Sequence, residues 1–102
     1  MVTKARSWTL IDGDERHAAN PKTWGMPSQE KRLALKEGAV VKVGFLFELP
    51  KGGERIWYRV TKVNPGPTFD LKLMSERLGP CPETVTVETK HIIEIWDGPM
   101  PD

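Results

Sequence analysis

Cysteine is almost absent: Cys81 stands alone, so no disulfide can form within the chain and packing alone must hold the fold. Such usage suits a reducing compartment, and a cytoplasmic location is the expectation. Long apolar runs are missing too. No stretch approaches the roughly 18 residues of a membrane span, and Met1–Arg6 leads into no apolar core of a signal peptide. Histidine is scarce, with His17 and His91 far apart in the chain. Excess charge is lacking as well. Fifteen basic and fourteen acidic residues leave a net charge of +1, so no global field draws nucleic acid or anionic lipid.

What is present is an ordinary globular mixture: 102 residues, 38% hydrophobic and 28% charged. That length makes one domain, 1–102. It divides into a leader over 1–38, a strand-rich part over 39–97 and a tail over 98–102.

In the leader, Asp12 offers a helix-capping acceptor with Glu15 three positions on. A short helix over about Asp14–Ala19 is predicted to end before Pro21. Ser28 is a second N-cap, with Glu30 in the first turn, Lys36 near the end and Gly38 as the stop. With only Leu33, Ala34 and Leu35 apolar, this helix should lie on something else.

From Val40 the period becomes two. Val41, Val43, Phe45, Phe47 and Leu49 alternate with more polar positions, the pattern of a half-buried strand. Pro50-Lys51-Gly52-Gly53 reads as a turn. The strand Glu54–Val63 then puts Ile56, Tyr58 and Val60 on one face and Arg55, Trp57, Arg59 and Thr61 on the other. Asn64–Pro67 is a second turn. Phe69, Leu71 and Leu73 alternate next, and Ser75–Pro82 forms a looser connection. Val85 and Val87 follow, then a turn at Thr89-Lys90 and a last strand over His91–Trp96. The predicted core is Val41, Val43, Phe45, Phe47, Ile56, Tyr58, Val60, Phe69, Leu71, Leu73, Val85, Val87, Ile93 and Ile95. The last strand is apolar enough to be buried on both faces.

Five short strands with one apolar face are most economically buried by a bent antiparallel sheet that closes on itself. The expected fold is mainly β (α+β): a small five-stranded antiparallel SH3-like barrel with one or two short N-terminal helices. An open meander covered by those helices satisfies the same alternation.

The order Asn20-Pro21-Lys22-Thr23-Trp24, Pro27-Ser28, Glu30, Leu35-Lys36-Glu37-Gly38 and Val41-Lys42-Val43 resembles the YegJ-like bacterial domain of unknown function. Its closest point is Gly53-Glu54-Arg55-Ile56-Trp57-Tyr58-Arg59-Val60-Thr61, similar to that family's strand around a central tryptophan. The resemblance spans roughly Asp14–Trp96. It implies a shared fold and a bacterial or phage origin, and it brings no catalytic residue.

The enzymatic inventory is thin. His17 and His91 have no carboxylate or cysteine at metal-ligand spacing. Cys81, between Pro80 and Pro82, has no basic sequence neighbour to lower its pKa. Asp12, Asp14 and Glu15 lack the remaining ligands of a calcium loop, and Gly52-Gly53 lacks the form of a phosphate loop. The expectation is no enzyme, no metal and no cofactor.

One constellation stands out. Arg55, Trp57 and Arg59 share one side of a strand, and an indole flanked by two guanidiniums is a platform for stacking or for an acidic partner. The structural reading places Trp57 beneath the leader, packed with Trp24 or Leu33, with the arginines at the rim. It is the weightier of the two, because exposed apolar patches on monomers are small. Trp8 and Trp96 read as anchors for the ends.

Charge is uneven: residues 1–51 hold nine basic and six acidic groups, and residues 52–102 hold six and eight. Two functions remain. One is a non-enzymatic binding module for another protein, accessory or immunity-like. The alternative is a nucleic-acid-binding barrel in which Trp57, Tyr58 or Phe69 stacks bases and Arg55, Arg59 and Lys62 meet phosphates. The acidic C-terminal stretch is a poor phosphate surface, so the protein-binding reading leads.

Overall fold

The alternating run from Val40 organises the sheet. In a computed structural model of the chain, which describes residues 8–48, 51–74 and 81–99 (Lys51 by its backbone alone), six strands form one antiparallel sheet. They are β1 (Trp8–Leu10), β2 (Val40–Glu48), β3 (Lys51–Asn64), β4 (Thr68–Leu73), β5 (Thr84–Glu88) and β6 (Ile92–Ile95). Strands β1 to β5 are neighbours in that order, and β6 returns to β2. A 3-10 turn over Thr89–His91 makes that return. The sheet therefore curls into a small SH3-like half-barrel instead of remaining an open meander.

β2 is paired on both edges. Val41, Val43 and Phe45 lie opposite Tyr58, Ile56 and Glu54 of β3. Along its other edge the first half pairs with β6 and the second half with β1, where Phe47 meets Trp8. β1 is a strand that the sequence pattern did not announce, since its three residues are too few to show a period.

Pairing also moves the first hairpin. Phe47↔Gly52 and Leu46↔Gly53 are in register, so both glycines lie within β3 and not in the expected turn. The residues between the strands, Leu49 and Pro50, lie outside the described residues, as do the Ser75–Pro80 part of the looser connection and tail residues 100–102.

The inward faces form one core of Val41, Val43, Phe45, Phe47, Ile56, Tyr58, Val60, Phe69, Leu71 and Val87, joined by Leu35 and Ile92. Leu73, Val85 and Ile95 pack at its edge, half-buried. The last strand differs from expectation by one residue. A register shift sits between Lys42 and Val43, so Val43 lies opposite Ile92 while Val41 lies opposite Ile95. A bulge of this kind reverses the alternation beyond it. Ile92 thus enters the core, and Ile93 is buried elsewhere, beside Gly13 and Met26. β6 is covered on both faces, as its composition predicts.

The helices are α1 (Gly13–Ala19) and α2 (Gln29–Leu33), capped by Asp12 and Ser28, whose side chains accept from the Glu15 and Lys31 amides. α2 is shorter than the expected run to Lys36. Tertiary contacts end it: Leu35 is drawn into the core, and the chain then pairs with β3. The Gly38 amide donates to the Val60 carbonyl at 2.8 Å, and the Val60 amide donates to the Ala39 carbonyl at 2.8 Å. Gly38 has φ +94°, a left-handed conformation that a side chain would strain.

Two devices fasten the leader to the sheet. Ile11 lies over Gly44, where an added Cβ would stand 2.7 Å from Ile11 Cδ1. Arg32, only 5% exposed, donates to Asp14 Oδ1 at 2.9 Å and to the Thr89 carbonyl at 3.0 Å, joining α2 to α1 and to the 3-10 turn. No described helix is long and apolar enough to cross a membrane.

Phe45 touches the rings of Trp8, Phe47 and Tyr58 at the centre of this packing. Phe45→Ala should cost about 3–5 kcal/mol, measurable by urea denaturation. A loss below about 1 kcal/mol would contradict the central role given to this ring.

Candidate functional site: the outward face of β2, β3 and β6

Alternation on β3 sends Arg55, Trp57 and Arg59 outward, and the register places Gly44, Lys42 and Val40 of β2 beside them. Lys42 in turn faces Glu94 of β6. The structure gives the three candidate residues different environments.

Trp57 is half-buried. Its cover comes from the C-terminal side, not from Trp24 or Leu33 as expected. The Trp96 ring meets it edge to face with centroids 5.4 Å apart, and Lys42 Nζ stands 4.6 Å from its ring centroid. Lys42 also pairs with Glu94 at 3.3 Å. Leu33 instead faces solvent, 51% exposed. The bulge in β6 and the placement of Trp96 beyond it are tertiary features, invisible to the spacing of β3.

Arg59 is half-buried and donates to the Gly38 carbonyl at 3.3 Å, so it braces the turn that enters β2. Arg55 is exposed and lies over the Trp24 ring, its guanidinium carbon 5.7 Å from the centroid. Arg16 of α1 stands 5.5 Å from the same ring. The leader therefore reaches the β3 face through Trp24 and meets an arginine there. Arg16 was missed by sequence reasoning, because nothing in a seven-residue helix shows which side chain will reach across to a sheet.

Lys62 is exposed farther along β3, opposite Asp70 of β4. Hydrogen bonds from Thr86 and Asn64 hold the Asp70 carboxyl below its ordinary range, with a smaller contribution from the Lys62 charge. Tyr58 and Phe69 are both 0% exposed. Neither can stack a base, and the Tyr58 hydroxyl is spent donating to the Pro82 carbonyl at 2.6 Å.

The other chemistry-bearing side chains have structural partners. His17 Nδ1 donates to the Trp24 carbonyl at 2.6 Å, tying the loop to α1. His91 Nδ1 accepts from the Glu88 amide at 3.0 Å. Asp12 caps α1 and Asp14 holds Arg32. Cys81 is half-buried against the core. Among the described residues, no three His, Cys, Asp or Glu side chains gather as metal ligands would. Trp8 packs edge-on to Phe45, and the Trp96 indole donates to the Pro99 carbonyl at 2.8 Å, so both ends are anchored by tryptophans.

No family model, no curated protein and no solved structure matches the chain. The residues themselves therefore carry the functional reading.

Two outcomes follow from this geometry. Trp96 is the cover of Trp57, so in a protein carrying Trp8→Phe, Trp24→Phe and Trp96→Phe, Trp57 emission should move to the red when position 96 is made Trp96→Ala instead. No shift would show that Trp96 does not shield it. The second outcome concerns His91. Burial first, then the Lys90 charge, pushes its pKa below the ordinary value, against smaller opposing contributions from Glu88 and Asp12. The folded state favours the neutral ring, which alone can accept from the Glu88 amide. That stabilisation is complete above the unfolded pKa of about 6.5 and is lost as pH falls through the lowered folded value. The melting temperature should therefore decline below about pH 6.5 more steeply in the native protein than in His91→Asn, whose amide oxygen accepts without titrating. Parallel profiles would contradict this.

Proposed function

We propose that the protein is a small non-enzymatic binding module that docks another protein on the outward face of β2 and β3. The observation that carries this reading is the composition of that face. Leu46, 40% exposed, and the partly covered rings of Trp24, Trp57 and Trp96 lie among Arg16, Lys42 and Arg55. Aromatic and arginine side chains beside an exposed aliphatic group are the composition of interface centres. A non-enzymatic role is favoured by the backbone bonds that occupy His17 and His91. An accessory or immunity-like role in a bacterial cytoplasm belongs to the same reading and rests on analogy alone; the resemblance of Gly53–Thr61 to the YegJ-like strand supports only the bacterial or phage setting.

The nucleic-acid reading is the weaker one. Of its three stacking residues only Trp57 has an exposed part, and Lys62 already faces a carboxylate.

Leu46→Asp places a charge on an exposed position and should leave the melting temperature within about 4 °C, since surface changes are usually within about 0.5 kcal/mol. Tagged native protein should retain a protein partner at high salt, and Leu46→Asp should lose it while Lys62→Glu keeps it. Retention of the partner by a folded Leu46→Asp variant would move the docking surface elsewhere. Affinity for oligothymidylate that falls steeply with salt would instead support the nucleic-acid reading.

A further inference from the structure

The cleft between α1 and the β2–β3 hairpin has a chemistry of its own. It is open, about 600 Å³ in volume, and its walls include Arg16, Trp24, Lys42, Leu46 and Arg55, with Glu54 as the only acid among the described lining residues. Lys42 is already engaged by Glu94 and by the Trp57 ring. Arg16 and Arg55 are different. Among the described residues neither has a salt-bridge partner, and both lie over one indole, at 5.5 and 5.7 Å from its centroid. An arginine that rests on an aromatic face has its long side chain ordered in advance. Its guanidinium keeps the planar fork of N–H donors that matches a carboxylate. Two such forks beside an exposed leucine describe the complement of an anionic group next to an apolar one.

We infer that this cleft takes an acidic segment of the partner protein, with Arg16 and Arg55 binding a Glu or Asp carboxylate and Leu46 receiving the adjoining apolar side chain. The inference rests on the protein-binding reading and names the partner's chemistry. Charge complementarity selects this occupant: two unpaired cations against one lining acid favour a carboxylate over a basic or neutral segment. A nucleic-acid strand fits less well, because Glu54 lines the cleft and Lys42, its third cation, is already paired with Glu94.

The test uses the full chain and a short synthetic peptide alternating Glu with Phe, its Gln-for-Glu counterpart, and oligothymidylate. NMR titration follows the Trp24 indole N–H and the Arg16 and Arg55 Nε–H signals. The Glu peptide should shift all three and saturate, and the Gln peptide should bind about tenfold or more weakly, the scale of a lost charged hydrogen bond. Arg16→Gln and Arg55→Gln should each weaken the Glu peptide by a similar factor, while Lys62→Gln should not. Equal binding of the two peptides, no binding of the Glu peptide at millimolar concentration, or indifference to both arginine variants would overturn the inference. So would tighter binding of oligothymidylate through the same two arginines. Failure of this assignment is separable from failure of the protein-binding reading. A native partner that survives Arg16→Gln and Arg55→Gln but is lost in Leu46→Asp keeps the docking face and removes the acidic segment.

Discussion

The architecture depends on the double pairing of β2. One strand of nine residues carries β3 along its whole length on one edge and shares its other edge between β6 and β1. Both ends of the described chain therefore hydrogen-bond to the same strand. Its inward face supplies Val41, Val43, Phe45 and Phe47 to the core, and its outward face is crossed by Ile11 at Gly44. A strand so placed has no free edge for slippage, and burial of its apolar set fixes its register. Everything that meets on the outer face is positioned by that register.

The leader is fixed by polar as well as apolar contacts. Arg32 joins α1, α2 and the 3-10 turn from a buried position. Only the arginine of this pair is buried, since the Asp14 side chain is 52% exposed, so the ion pair adds little stability of its own. A buried guanidinium stripped of its acceptors would be costly, and the two bonds act chiefly as a geometric constraint. Here they hold α1 against the turn that precedes β6. The same placement brings Arg16 and Trp24 toward Arg55. A bond on one side of the leader thus helps set the composition of the cleft on the other.

The two ends divide the candidate platform between them. Trp96 and Lys42 close over Trp57, whereas Trp24 stacks with Arg55, and Arg59 is drawn into bracing Gly38. Three residues that alternate along one strand thus take three different tasks. Only Arg55 keeps its charge at the surface without an ionic partner among the described residues. The charge left without an ionic partner therefore lies at the hairpin end of the strand motif, in a cleft that Leu46 and Arg16 also line.

The core was legible in the residues because strand alternation and burial share a period of two: the inward positions of β2, β3 and β4 follow from counting. The N-caps Asp12 and Ser28 were legible for a comparably local reason, a side-chain oxygen within reach of an amide three residues on. The limits of that reading lie where distant segments meet. The shift at Lys42/Val43 that exchanges Ile93 for Ile92, the shortening of α2 by Leu35 and by Gly38 pairing with Val60, and the strand at Trp8–Leu10 all depend on partners far along the chain. The candidate site divides in the same way. Its position on the outer face of β3 was set by the sequence through the pleat, which sends alternate side chains to opposite sides. Which of Arg55, Trp57 and Arg59 remained available was decided by tertiary structure alone, because the contacts that engage or release them come from α1, β2, β6 and the turn at Gly38, and spacing along one strand carries no information about what packs against it.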